Sequence, residues 1–285
     1  MRFTKMQGAG NDYIYLNGFN RLPSHLNELS QKMSDRHFGV GSDGLVVILP
    51  SENCDFRMRM FNSDGTEAEM CGNASRCVGK YVYENGLTSK TELTLETLAG
   101  VKHLKLHIHE GKVHQVSVDM GEPILSAQEI PVNISNSPIV AYPMAIEDNL
   151  FEITCVSMGN PHAVIFLDDL DRYDLHHIGA IVENHELFPR RTNVEFVEIL
   201  SPEHLKMRVW ERGAGETLAC GTGACASLVA AVLNKKANRR ATLHLLGGDL
   251  QIEWEEKSNR VYMTGGAVTV FEGEWPDDKT NILWY

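Results

Sequence analysis

The sequence predicts an α+β fold of two similar halves, each a set of strands around one mostly buried helix. Three observations carry this. Apolar and polar residues alternate over several short runs, two apolar helical stretches interrupt them, and the chain matches itself at the displacement of 149 positions that separates Cys71 from Cys220.

The strands come first. Phe56, Met58 and Met60 alternate with Arg57 and Arg59, and Leu104, Leu106 and Ile108 alternate with polar neighbours. A period of two belongs to a strand with one face on a core. In the first helix Ala74, Cys77, Val78, Tyr81 and Val82 follow i, i+3, i+4, i+7, i+8 spacing, and Gly86 stands where a C-terminal cap belongs. The second, ACASLVAAVLNKK from Ala224, is apolar nearly all round until Asn234, so other elements must wrap it.

The displacement lays DFRMRMFNSDGTEAEMCGNA over HLKMRVWERGAGETLACGTG, pairing Met58 with Met207, Arg59 with Arg208, Glu67 with Glu216, Cys71 with Cys220 and Gly72 with Gly221. It also lays Gly10-Asn11 over Gly159-Asn160. One offset shared by separated segments reads as a duplication. The expected division is 1–120 plus 272–285 for the N-terminal domain carrying Cys71, and 121–271 for the C-terminal domain carrying Cys220.

A chain of 285 residues can bury a large core, and 43% hydrophobic with 22% charged residues is the composition of a globular protein. The net charge of −12 repels nucleic acid and anionic membranes, leaving a small-molecule substrate as the expected partner. The opening MRFTKMQGAGNDY holds no apolar run suited to a signal peptide, and no segment approaches a membrane span. A cytoplasmic location is the resulting expectation. The oligomeric state is open, and a homodimer is compatible with everything above.

Six cysteines are too sparse for a disulfide scaffold. Cys54, Cys77, Cys155 and Cys225 read as packing. Cys71 and Cys220 differ because each stands just before a helix and a small flexible stretch, Gly72-Asn73-Ala74 or Gly221-Thr222-Gly223. Unpaired amides and the positive dipole end at a helix start favour a thiolate and bind an anion such as a carboxylate. If the halves pack about a pseudo-twofold axis, one α-carboxylate is gripped from both sides with a sulfur on each face of the α-carbon. Deprotonation on one face and reprotonation on the other inverts the centre.

At these residues the sequence resembles the diaminopimelate epimerases, of the pyridoxal-independent racemases. MQGAGNDYIYL, RHFGVGSDGL, FNSDGTEAEMCGNASRC, SMGNPHAV, RTNVEFV and VWERGAGETLACGTGACA are similar to that family's blocks, in order. The resemblance implies two domains of mostly antiparallel strands rolled around a central helix, and an epimerase without a cofactor or metal that interconverts LL- and meso-diaminopimelate in lysine and cell-wall precursor biosynthesis. It implies Cys71 and Cys220 as paired acid and base, with His162 assisting the first and Glu211 the second. It places backbone carboxylate binding at Gly72, Asn73, Gly221 and Thr222, and further substrate contacts at Asn11, Asn62, Asn160, Asn193, Glu211 and Arg212. Arg212 is suited to a bidentate grip on a second carboxylate. Gly44 departs from the pattern, since some family members carry a glutamine there that reaches the substrate.

Other signals point elsewhere. Gly39 to Gly44 spells GxGxxG but precedes the strand-like LVVILP, so the dinucleotide reading fails. His103, His107, His109 and His114 lack ligand partners at a known metal spacing. The alternatives are a racemase of proline or hydroxyproline, disfavoured by Glu211-Arg212 and the several asparagines, and a binding protein or isomerase of the same fold without the thiols.

Overall fold

The computed structural model describes residues 1–19 and 22–276; the end of the expected 272–285 segment lies outside the described residues. The chain divides into two compact units, one formed by Met1–Val116 with the chain from Gly266, the other by Ser117–Gly265.

In chain order the first unit contributes β1 (Arg2–Gly8), β2 (Asn11–Asn17), α1 (Leu26–Ser34), β3 (Gly44–Leu49), β4 (Phe56–Asn62), β5 (Glu67–Ala68), α2 (Gly72–Glu84), β6 (Glu92–Thr97) and β7 (Gly100–His109). After β8 (Lys112–Gly121) come β9 (Tyr142–Ile146), β10 (Asn149–Ser157), β11 (Pro161–Leu167), α3 (Leu175–Glu183), β12 (Asn193–Ser201), β13 (His204–Glu211), β14 (Gly215–Thr217), α4 (Gly221–Leu233), β15 (Arg240–Leu245), β16 (Gly248–Trp254) and β17 (Val261–Gly265). Finally β18 (Val268–Glu274) returns to pair with β1.

The displacement of 149 positions carries both bounds of α1 onto those of α3, and both bounds of α2 onto those of α4. Sheet connectivity repeats with it. In the first unit β1–β2, β3–β4, β4–β5 and β6–β7 pair antiparallel, while β2–β3 and β4–β6 are parallel. In the second, β10–β11, β12–β13, β13–β14 and β15–β16 are the antiparallel counterparts, and β11–β12 and β13–β15 the parallel ones. The matched Arg and Glu residues have a shared purpose. Arg59 makes a two-pronged ion pair with Glu67 at 2.7 and 2.9 Å, and Arg208 reaches Glu216 at 2.6 Å, each joining the long strand to the short one before the central helix.

The strands next to each helix are covered on both faces. Ile14, Leu16, Leu45, Val47 and Phe61 pack under α1 through Leu26, Leu29 and Met33. Their neighbours Tyr15, Val46 and Ile48 are also buried, which is why LVVIL reads as a continuous apolar run. In α2 the anticipated stripe, Ala74, Cys77, Val78, Tyr81 and Val82, is buried, and α4 is buried almost all round through Ala231. Gly86 ends α2 at φ 70, its amide bonded to Tyr83 O at 3.1 Å. The helices α1 and α3 were not anticipated. α3 buries Leu175, Ile178 and Val182, and Asp174 caps it by accepting from the His177 amide at 3.1 Å.

Candidate active site

Each central helix starts from an extended cysteine. Cys71 (φ −136, ψ 123) precedes α2, and Cys220 (φ −121, ψ 113) precedes α4. The first helical bonds run from Ser75 N to Cys71 O and from Ala224 N to Cys220 O, both at 2.9 Å. The amides of Gly72, Asn73 and Ala74, and of Gly221 and Thr222, therefore precede the i→i−4 ladder and are donors of the kind expected for an anion, while that of Gly223 turns to the Cys220 sulfur.

In the first unit Cys71 Sγ donates to Asn11 Oδ1 at 3.2 Å, and Asn73 Nδ2 approaches the same oxygen at 3.5 Å. Asn11 holds that orientation because its Nδ2 donates to Asp43 Oδ2 at 2.7 Å. Asp43 also accepts from the Asp12 amide at 3.0 Å and from Arg36 at 2.9 Å. The GxGxxG stretch thus supplies, in Asp43, the carboxylate that orients Asn11; Asp43 was not singled out from the sequence, although RHFGVGSDGL contains it. Asn73 is buried and its Oδ1 has no hydrogen-bond partner among the described residues. Asn62 is the last residue of β4, where the chain enters the hairpin turn, with Nδ2 on Thr66 Oγ1 at 3.0 Å.

Gly44 is shaped by packing. A side-chain carbon there would fall 2.0 Å from Phe61 O, so a glutamine at this position requires the backbone to move.

The second unit gathers more ionisable groups. His162 Nδ1 lies 2.7 Å from Glu195 Oε1 and its Nε2 lies 3.0 Å from Asn160 Oδ1. Asn193 is held by two backbone contacts: its Nδ2 donates to Pro161 O at 2.8 Å and its Oδ1 accepts from the Arg212 amide at 3.0 Å. Arg212 is exposed, with Nη1 on Arg190 O at 3.1 Å.

The helix start does not favour a thiolate at Cys220 as expected. Gly223 N donates to Cys220 Sγ at 3.4 Å and Thr222 Oγ1 lies at 3.4 Å, but burial, with Glu211 and Glu195 nearby, pushes the thiol well up. Loss of hydration and two carboxylates outweigh one turn of helix dipole. Burial also raises Glu211, opposed by its bonds to Thr217 and Cys220. Of the cysteines read as packing, Cys77, Cys155 and Cys225 are buried; burial lifts Cys77 to about 11 and Cys155 higher still.

Two pseudo-symmetric units of mixed sheet, each enclosing a central helix, define a fold shared with PhzF-family proteins and epimerases. A solved PhzF-family phenazine biosynthesis protein from Bacillus anthracis superposes with a TM-score of 0.72, covering 97% of this chain and 99% of its own, at 18% identity, a likeness of fold alone. The diaminopimelate epimerase family profile matches residues 3–126 and 154–270. Relatives named diaminopimelate epimerase are 61% identical in Acetivibrio thermocellus and 59% in Methanococcus maripaludis, each over 96% of this chain and 98% and 99% of the relative. The chain belongs to the diaminopimelate epimerase family.

Proposed function

We propose that the chain interconverts LL- and meso-diaminopimelate, in lysine and cell-wall precursor biosynthesis, by a two-base mechanism in which Cys71 and Cys220 act on opposite faces of one α-carbon. The observation that carries the mechanism is the recurrence of a Cys-Gly helix start at equivalent places in two units whose helices repeat bound for bound.

In one direction the Cys71 sulfur takes the α-proton while Cys220, which its surroundings keep as a thiol, delivers a proton from the other side. In reverse the two exchange tasks. Amides at Gly72, Asn73, Gly221 and Thr222 hold the α-carboxylate and meet the charge that develops as the α-proton leaves, which is work otherwise done by an electron-sink cofactor. His162 and Glu211 are the auxiliary acid–base groups. Asn11, Asn62, Asn160, Asn193 and Arg212 bind the substrate's polar ends, Arg212 taking a carboxylate. No helix among the described residues is long and apolar enough to cross a membrane. A cytoplasmic homodimer is the setting we infer.

The test is exchange of the α-hydrogen of LL-diaminopimelate with solvent deuterium by reduced protein without added pyridoxal phosphate, with proline and hydroxyproline in parallel. Exchange of diaminopimelate alone is expected; exchange of proline alone would replace the substrate assignment, and no exchange would end the reading. Cys71→Ala and Cys220→Ala should each abolish epimerisation, and full activity in either would refute the two-base scheme.

A further inference from the structure

The pair His162 and Glu195 has no counterpart in the other half. The same displacement that superposes the helices takes His162 to Tyr13 and Glu195 to Val46. The scaffold therefore forms with a tyrosine and a valine at these places on its two parallel strands. In the second unit an imidazole and a carboxylate replace them, both fully buried, at 2.7 Å.

Such a pair is costly to keep. A carboxylate taken out of water loses several kcal/mol of hydration, which one hydrogen bond does not restore. Glu195 Oε2 has no hydrogen-bond partner among the described residues, so half of the group's accepting capacity is unused. Since the first half fills the same place with valine, packing does not explain the charge.

Its geometry does. β11 and β12 run parallel with His162 opposite Asn193, and Glu195, two residues along β12, projects to the same face as Asn193. Its Oε1 lies 2.7 Å from His162 Nδ1, a geometry that suits an Nδ1–H donor to a carboxylate. The nitrogen left to exchange protons is Nε2, facing the Asn160 side-chain amide at 3.0 Å. That amide can accept from a protonated Nε2, or donate to a deprotonated one after turning over. The other titratable groups whose charges bear on the pair are Glu211 on β13, Cys220 before α4 and Cys155 on β10.

We propose that Glu195 is a positioning residue that fixes the His162 ring by Nδ1, so that Nε2 is the nitrogen that works in epimerisation. This rests on the reading of His162 as an auxiliary acid–base group.

The test uses full-length protein and four variants: Glu195→Gln, Glu195→Val, His162→Asn, and His162→Asn with Glu195→Gln. Imidazole nitrogen NMR should show Nδ1 of His162 protonated in the wild type, with the tautomer redistributed in Glu195→Gln. In Glu195→Gln, kcat should fall roughly 100-fold with KM within about threefold, the range of a general acid–base contribution. Glu195→Val, which copies the first half, should stay folded and be at least as slow. The double variant should be no slower than His162→Asn alone, because Glu195 acts only through the ring.

Additive losses in the double variant, or an unchanged kcat in Glu195→Gln, would overturn the proposal. If Glu195→Val does not fold, the glutamine variant and the double variant still decide. A His162→Asn protein with full activity would instead remove the reading beneath it, and a wild type that exchanges no α-hydrogen would remove the epimerase mechanism; neither result is produced by a failure at Glu195 alone.

Discussion

A side-chain carbon at Gly223 would lie 2.6 Å from Glu195 Oε1, so the first turn of α4 rests directly on that carboxylate. Glu195 is buried and the same oxygen is held by His162, which leaves it nowhere to retreat. Gly223→Ala should therefore lose about 1–3 kcal/mol of stability, the usual cost of overpacking, and slow the reaction by displacing His162. Gly266→Ala is the control. A carbon there meets nothing within 4 Å, and its stability should change by less than about 0.5 kcal/mol. Denaturant unfolding of both variants checks the pair, and equal losses would contradict the packing argument.

The duplication makes a second prediction through the helix ends. Gly86, after α2, corresponds to Lys235, after α4, and both adopt left-handed backbone, at φ 70 and φ 58. Glycine takes this conformation freely, whereas a side chain strains it by about 1 kcal/mol. Lys235→Gly should raise stability by about 0.5–1 kcal/mol and Gly86→Ala should lower it by about 1 kcal/mol. Nothing lies within 4 Å of a carbon at Gly86, so its loss isolates the backbone term. Thermal unfolding gives both signs, and destabilisation by Lys235→Gly would show that its side chain holds the turn.

Much of this architecture was legible because the signals were long or doubled. The stripe in α2 spans two turns, and the displacement of 149 positions by itself sets Cys71 and Cys220 in equivalent places. α1 and α3 escaped because each has only nine residues, and His25, the residue before α1, makes no side-chain cap. In α3, Asp174 before Leu175, Ile178 and Val182 was a readable cap and stripe. Asp43 and Glu195 were invisible for another reason: their contacts reach segments distant in the chain, and a sequence lists neighbours along the chain, not across the fold. The sign of the effect on Cys220 was likewise hidden. The helix start is local, but burial and the carboxylates that oppose it come from β12 and β13.

Buried thiols give the alkaline limb of stability a definite sign. Burial, aided by the Glu195 charge, holds Cys155 far above the ordinary thiol value of 9.0. In the unfolded chain this thiol ionises near that value; in the folded protein it keeps its proton. Above pH ~9 the unfolded state therefore binds fewer protons, and stability falls as pH rises, by about 1.4 kcal/mol per pH unit for each such thiol. Below that pH the contribution is fully present. Cys155→Ala should flatten the slope of unfolding free energy between pH 8.5 and 10.5 by about one proton's worth. An unchanged slope would mean that Cys155 ionises in the folded protein.

The six thiols also differ in access, which allows the proposed base to be tested without mutating it. Cys54 and Cys71 are half-buried, while Cys77, Cys155, Cys220 and Cys225 are buried and require local opening to meet a reagent. Brief treatment of native protein with iodoacetamide should label Cys54 and Cys71 alone, as peptide mass spectrometry would show. Loss of epimerase activity should follow the label on Cys71, because alkylation removes the sulfur lone pair that takes the α-proton. Diaminopimelate should slow that labelling and leave Cys54 unaffected. Cys54→Ser should be inactivated at the wild-type rate, since Cys54 stands at neither helix start. If this variant resists inactivation, or if protein fully labelled at Cys71 still epimerises, Cys71 is not the base and the equivalence of the two helix starts concerns folding alone.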